Sequence, residues 1–368
     1  MSEERLFLPR EGLQRLLDEL ARRGYRCIGP VVRDGAIVFD EIGSADRLPR
    51  GVEQEQAPGR YRLRQAGHDR VFAWANGPQG IKPWLFAPHE VLWRMEQNED
   101  GPAFVPAPEP AGSLAVIGLR PCDIAALYLQ DHHFLHGIQA DSFYRARRSE
   151  LLVVAVNCTH PAATCFCAST GDGPGARFGF DLALTELDDG FLVQPHSGRG
   201  MELARALGLG PAGAERVRAG DAALARAARQ QRALPARDLR EPLYARLGAA
   251  HWHEVGERCL ACGNCTAVCP TCFCHREWDE GGLDLDRSEH VRGWDSCFTS
   301  VHSHIHGLTL RPDTASRYRQ WLVHKLGTWH EQYGRSGCVG CGRCIAWCPV
   351  GIDITEEVAR LCREPVHG

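Results

Sequence analysis

One cysteine pattern occurs twice in the 368-residue chain, as Cys259-x2-Cys262-x2-Cys265-x3-Cys269-Pro270 and as Cys338-x2-Cys341-x2-Cys344-x3-Cys348-Pro349. Each copy has a glycine after its second cysteine, Gly263 and Gly342. Three thiols at this spacing fit one tight loop and reach three corners of one cubane. The proline then turns the chain, so the fourth thiol points elsewhere. This is the ligand run of bacterial two-cluster ferredoxins, in which the fourth cysteine serves the other cluster. The crossing predicts one [4Fe-4S] site from Cys259, Cys262, Cys265 and Cys348, and a second from Cys338, Cys341, Cys344 and Cys269. Two segments whose first cysteines stand 79 positions apart are then tied through metal. Zinc is the competing occupant, but its sites generally pair two separated short motifs rather than a three-rung ladder ending in Cys-Pro.

The chain holds 17 cysteines, an odd count that cannot pair fully within one chain. The start, Met-Ser-Glu-Glu-Arg-Leu-Phe-Leu-Pro-Arg, lacks the apolar core of a secretory signal. A cytoplasmic, reducing location is expected, where many cysteines point to metal rather than disulfides. Cys122, Cys158, Cys165 and Cys167 form a second group and are candidate ligands of a third cluster; the alternative is four small buried hydrophobes. Asn157-Cys158-Thr159 and Thr164-Cys165-Phe166-Cys167 recur at an offset of 107, as Asn264-Cys265-Thr266 and Thr271-Cys272-Phe273-Cys274. The echo adds Cys272 and Cys274 as candidates, with Cys297, against a role as structural thiols around the clusters. Cys27 and Cys362 stand alone and are expected to be inert.

The fold class expected is α+β. Residues 1–245 read as a mixed α/β domain carrying the candidate third cluster, and 246–368 as a mainly helical, ferredoxin-like dicluster module. Leu13, Leu16, Leu17 and Leu20 predict a helix over 11–24. Strands are expected at 25–33, 36–42, near 61–63 and at 71–75, and Pro102 to Pro110 reads as a connector. The aliphatic runs Leu114–Leu119 and Leu151–Val156, with a helix over 123–135 between them, suit a βαβ unit whose strands are buried on both faces. Each run ends at a cysteine, at the strand ends where open α/β sheets bind ligands. Residues 181–194 read as a hairpin and 201–235 as helices, broken at 208–211. Asp353 and Glu356 predict a capping box for a final helix.

A net charge of −4 argues against nucleic acid as the main partner, and the aliphatic runs are far too short to span a membrane. Forty arginines against two lysines read as codon bias. His302, His304 and His306 alternate and would share one face of a strand; without a ligand-spaced partner they read as solvated or core-edge side chains, as do His251 and His253. Arg343, inside the second ladder, is expected to favour the reduced state of its cluster if it lies close. No dinucleotide or Walker loop and no nucleophile–base arrangement stands out, so no catalytic residue is assigned. The chain reads as equipped to carry electrons, not to transform a substrate alone.

Four segments occur in a telling order: Gly118-Leu-Arg-Pro-Cys-Asp-Ile-Ala-Ala-Leu127, Cys259 to Cys274 with its Cys-Pro-Thr-Cys-Phe-Cys ending, Trp294-Asp-Ser-Cys297, and the second ladder. Over about residues 80–360 the chain resembles the iron–sulfur beta subunit of cytoplasmic NAD(P)-linked nickel–iron hydrogenases, the sulfhydrogenases. It is equally similar to the A subunit of anaerobic sulfite reductase. The resemblance implies an electron-transfer, ferredoxin-type subunit of a multi-subunit oxidoreductase. Its implied partners are a flavin- and NAD(P)-binding subunit with the nickel–iron small and large subunits, or sulfite reductase subunits. The other class of reading is an iron–sulfur redox sensor or binding protein.

Overall fold

The computed structural model describes residues 5–236, 238–282 and 287–363. Leu114–Leu119 and Leu152–Val156 run parallel, side by side, within an eight-stranded sheet. Across that sheet the order is Gly210–Pro211, Leu6–Pro9, Gly190–Pro195, Leu182–Glu186, Leu152–Val156, Leu114–Leu119, Arg26–Arg33 and Ala36–Glu41. Every residue of the two aliphatic strands is buried, because alternate side chains serve opposite faces and both faces are covered. Ile117, Val154 and Val156 share a core with Leu13, Leu16, Leu17 and Leu20 of the helix Gly12–Arg22. Val116, Leu119, Val153 and Ala155 share another with Ile124, Leu127 and Phe134 of the helix Pro121–Leu135. The expected βαβ unit therefore forms, and it sets Cys122 and Cys158 just past the ends of neighbouring strands.

Several expectations change. Val71–Ala75 is buried but forms no strand. Its backbone is satisfied by side chains: the Glu186 carboxylate accepts from the N–H of Val71 and of Phe72, each at 2.8 Å. The Arg120 guanidinium donates to the carbonyls of Phe72 and Ala75, each at 3.0 Å. Part of the proline-rich connector is the strand Gly101–Pro106, at the edge of a second sheet where a missing N–H costs no ladder bond. The helices Gly198–Ala206 and Ala214–Ala227 form as expected, but 228–235 is not helical.

The segment after residue 246 mixes short helices with a hairpin, so a mainly helical character is not what the fold displays. The strands His275–Gly281 and Arg287–Trp294 pair antiparallel, and the latter pairs with His89–Asn98, which in turn pairs with Gly101–Pro106. Beyond the second ladder, the Asp353 carboxylate caps the helix Ile354–Arg363 by accepting from the Thr355 N–H at 3.0 Å. Glu356, the expected reciprocal partner, stays exposed. Val358 and Leu361 are buried against Tyr318, Trp321 and Cys338.

Candidate iron–sulfur centre

The two ladders share backbone geometry as well as spacing. Ala261 and Gly340, each one residue before the second cysteine, have φ of +51° and +64°. Gly263 and Gly342 follow at +76° and +75° and open the short helices Asn264–Ala267 and Arg343–Ala346. Left-handed conformations suit glycine and strain alanine. In both ladders the loop folds back on its first sulfur: the Ala261 N–H donates to Cys259 Sγ at 3.4 Å, and the Gly340 N–H to Cys338 Sγ at 3.5 Å. The Ile352 N–H likewise donates to Cys348 Sγ at 3.3 Å.

The fold brings cysteines of both ladders together. One cavity is lined by Cys259, Cys262, Cys265, Cys344 and Cys348, with Tyr318, Trp321 and Ile354 around them. Burial pushes the Cys265 thiol well up, and Cys259, Cys348 and Cys262 push it further. Cys344 is raised by burial and then by Cys338, Cys341 and Cys269. Among the described residues no three histidine, cysteine, aspartate or glutamate side chains converge on the position of a single ion.

Cys122, Cys158, Cys165 and Cys167 are all buried. They divide between two packing groups: Cys122 and Cys167 lie with Cys341, whereas Cys158 and Cys165 lie with Ala75 and Ala162. The groups adjoin, since Cys158 and Cys167 both raise the Cys165 thiol beyond what burial does. The Gln230 amide donates to Cys167 Sγ at 3.2 Å.

A third gathering holds the contested thiols. Cys274 is pulled down to about 4 by a hydrogen bond from Cys297, against burial, with a further bond from His302. His302 also meets Asp295 at 3.0 Å, while His304 and His306 are exposed, so the three histidines share no common face. His251 is buried and bonded to Glu357 at 2.7 Å, a structural pair linking two helices. Cys27 sits in the core, where burial pushes its thiol up to about 11.

The surroundings suit anionic metal–thiolate groups. Lys82 and Lys325 are both buried, and among the described residues neither has a carboxylate within ion-pair distance. A buried charge left without compensation is expensive. Here the facing groups are thiols. Lys325 is opposed by burial, but Cys269, Cys272 and Cys338 raise its pKa on balance. Lys82 donates to the carbonyls of Ala267 and Cys272 at 3.2 and 3.4 Å, and burial pulls it down to about 8 despite Cys272 and Cys269. Arg343 is also buried, but Asp123 holds it in a bidentate pair at 2.7 and 2.9 Å, so its charge is already balanced. Sequence reasoning chose Arg343 and passed over both lysines; their rarity was the available signal.

Residues 258–352 match the family model described as a 4Fe-4S dicluster domain. The chain thus carries a domain of the iron–sulfur dicluster class, spanning both ladders. Over 340 residues, 90% of this chain and 92% of the relative, it is 27% identical to sulfhydrogenase 2 subunit beta of Pyrococcus furiosus. The resemblance read from the motifs therefore extends along nearly the whole chain. No solved structure matches it. Among the described residues no helix is long and apolar enough to cross a membrane.

Proposed function

We propose that this protein is the iron–sulfur electron-transfer subunit of a hydrogenase-type complex, carrying electrons between a flavin- and NAD(P)-binding subunit and the nickel–iron subunits. The observation that carries the reading is the gathering of cysteines from both ladders in a dicluster domain, within a chain similar to a sulfhydrogenase beta subunit. Cys259, Cys262, Cys265 and Cys348 would hold one cluster, and Cys338, Cys341, Cys344 and Cys269 the other. Bound there, the clusters supply one-electron carriers whose potentials follow charge, burial and hydrogen bonds to sulfur. The chain's own part is to supply thiolates, aim backbone N–H groups at sulfur and exclude water with Tyr318, Trp321 and Ile354. Cys122 and Cys167, packed with Cys341, are proposed as ligands of a third cluster together with the adjoining Cys158 and Cys165.

Native purification under anaerobic conditions tests the assignment. The expected outcome is co-purification with a flavoprotein and nickel–iron subunits, and loss of electron flow between them when the chain is deleted. Co-purification with a siroheme protein would move the chain to the sulfite reductase reading. A chain that purifies alone, with the complex's activity intact after its deletion, would contradict both.

A further inference from the structure

Lys325 is 4% exposed and lies on the π-helical turn His324–Thr328, between the helices Thr314–Val323 and Trp329–Tyr333. Such turns redirect side chains and are frequent at functional sites. Its ammonium donates to Thr271 Oγ1 at 2.9 Å. That hydroxyl lies 3.2 Å from Cys269 Sγ and donates to the carbonyl of Gly337, next to Cys338, at 2.7 Å. Lys325 is thus bonded into the junction where the end of one ladder meets the start of the other.

We propose that Lys325 is a positioning residue that sets the reduction potential of the cluster assigned to Cys338, Cys341, Cys344 and Cys269; this rests on the ligand assignment above. Reduction adds one electron from a one-electron donor, with no bond made or broken, and makes the site one unit more negative. A fixed buried cation stabilises that added charge, and low local polarity magnifies the effect. Arg343, although inside the ladder, contributes little because Asp123 cancels its charge. Lys82 is the weaker of the two lysines, since its ammonium is bonded to the carbonyls of Ala267 and Cys272 rather than to the Thr271 hydroxyl beside Cys269. The chain's two lysines therefore stand where a compact cation is useful inside the fold.

The test is a mediated redox titration of the full-length, anaerobically reconstituted chain, read by electron paramagnetic resonance. In Lys325→Gln the oxidised-to-reduced ratio of one cluster at fixed potential should rise at least tenfold, a fall of about 59 mV for one electron. The remaining signals should stay in place, and Lys325→Arg should restore the shifted one. Lys325→Met, which carries no charge at any pH, is the second variant should Lys325→Gln fail to hold iron, and the same fall is expected of it. Wild-type potentials in the neutral variants, or an equal shift of every signal, would overturn the inference while leaving the ligand assignment standing. A wild-type chain without cubane iron would overturn the assignment itself, and the inference with it.

Discussion

The two ladders share one cysteine pattern and are placed in opposite surroundings. In the first, Cys262 is exposed and Leu260 beside it is 63% exposed. In the second, Cys338, Cys341 and Val339 are buried, and the loop is pressed on residues from the first half of the chain. The Asn76 amide donates to the Cys341 carbonyl at 2.7 Å, the Phe166 N–H to the Gly340 carbonyl at 2.8 Å, and the Gly59 N–H to the Ile345 carbonyl at 3.0 Å. The difference teaches that spacing specifies what a loop can hold, whereas the packing around it decides how the held group behaves. It also explains a local departure: the outer ladder tolerates Ala261 at φ +51°, where the inner one has Gly340.

The contrast can be broken most severely at Asp123. Asp123→Ala leaves the Arg343 guanidinium buried and unpaired, which costs about 3–5 kcal/mol for a buried pair of this kind. The variant should show a markedly lower thermal midpoint; an unchanged midpoint would mean that the pair does not anchor the inner ladder. The next effect is at Gly340. A Cβ there would lie 2.5 Å from the Cys167 backbone nitrogen, at a φ that disfavours alanine. Gly340→Ala should therefore cost at least about 1–3 kcal/mol and reduce iron retention. The reciprocal change is the smallest. Ala261→Gly removes left-handed strain but adds glycine's entropy loss, leaving stability within about 1 kcal/mol of wild type, on the stabilising side. Equal responses at positions 261 and 340 would show that the two loops are equivalent after all.

Much of this was legible in the residues. Leu114–Leu119 and Leu152–Val156 form central strands because unbroken aliphatic runs have few other places to go, and the leucine period defines the helix Gly12–Arg22. The ladders are legible because ligand spacing is local in sequence. Val71–Ala75 misled because its apolar character reports burial, whereas its backbone partners, Glu186 and Arg120, lie far along the chain. The hairpin His275–Gly281 with Arg287–Trp294 gives no alternating pattern, since its first strand is largely exposed on both faces. The role of Lys325 depends on a fold-specific junction with Thr271 and Gly337, more than fifty residues away on one side, which no local pattern encodes.

The central claim is that the crossed ladders hold two cubanes. Iron and acid-labile sulfide content of the purified full-length chain, after anaerobic reconstitution, tests it most directly. The account predicts at least about eight iron and eight sulfide per chain for the two ladders, rising to about twelve if the third set is filled. Fewer than about eight iron atoms, or zinc in their place, would contradict it.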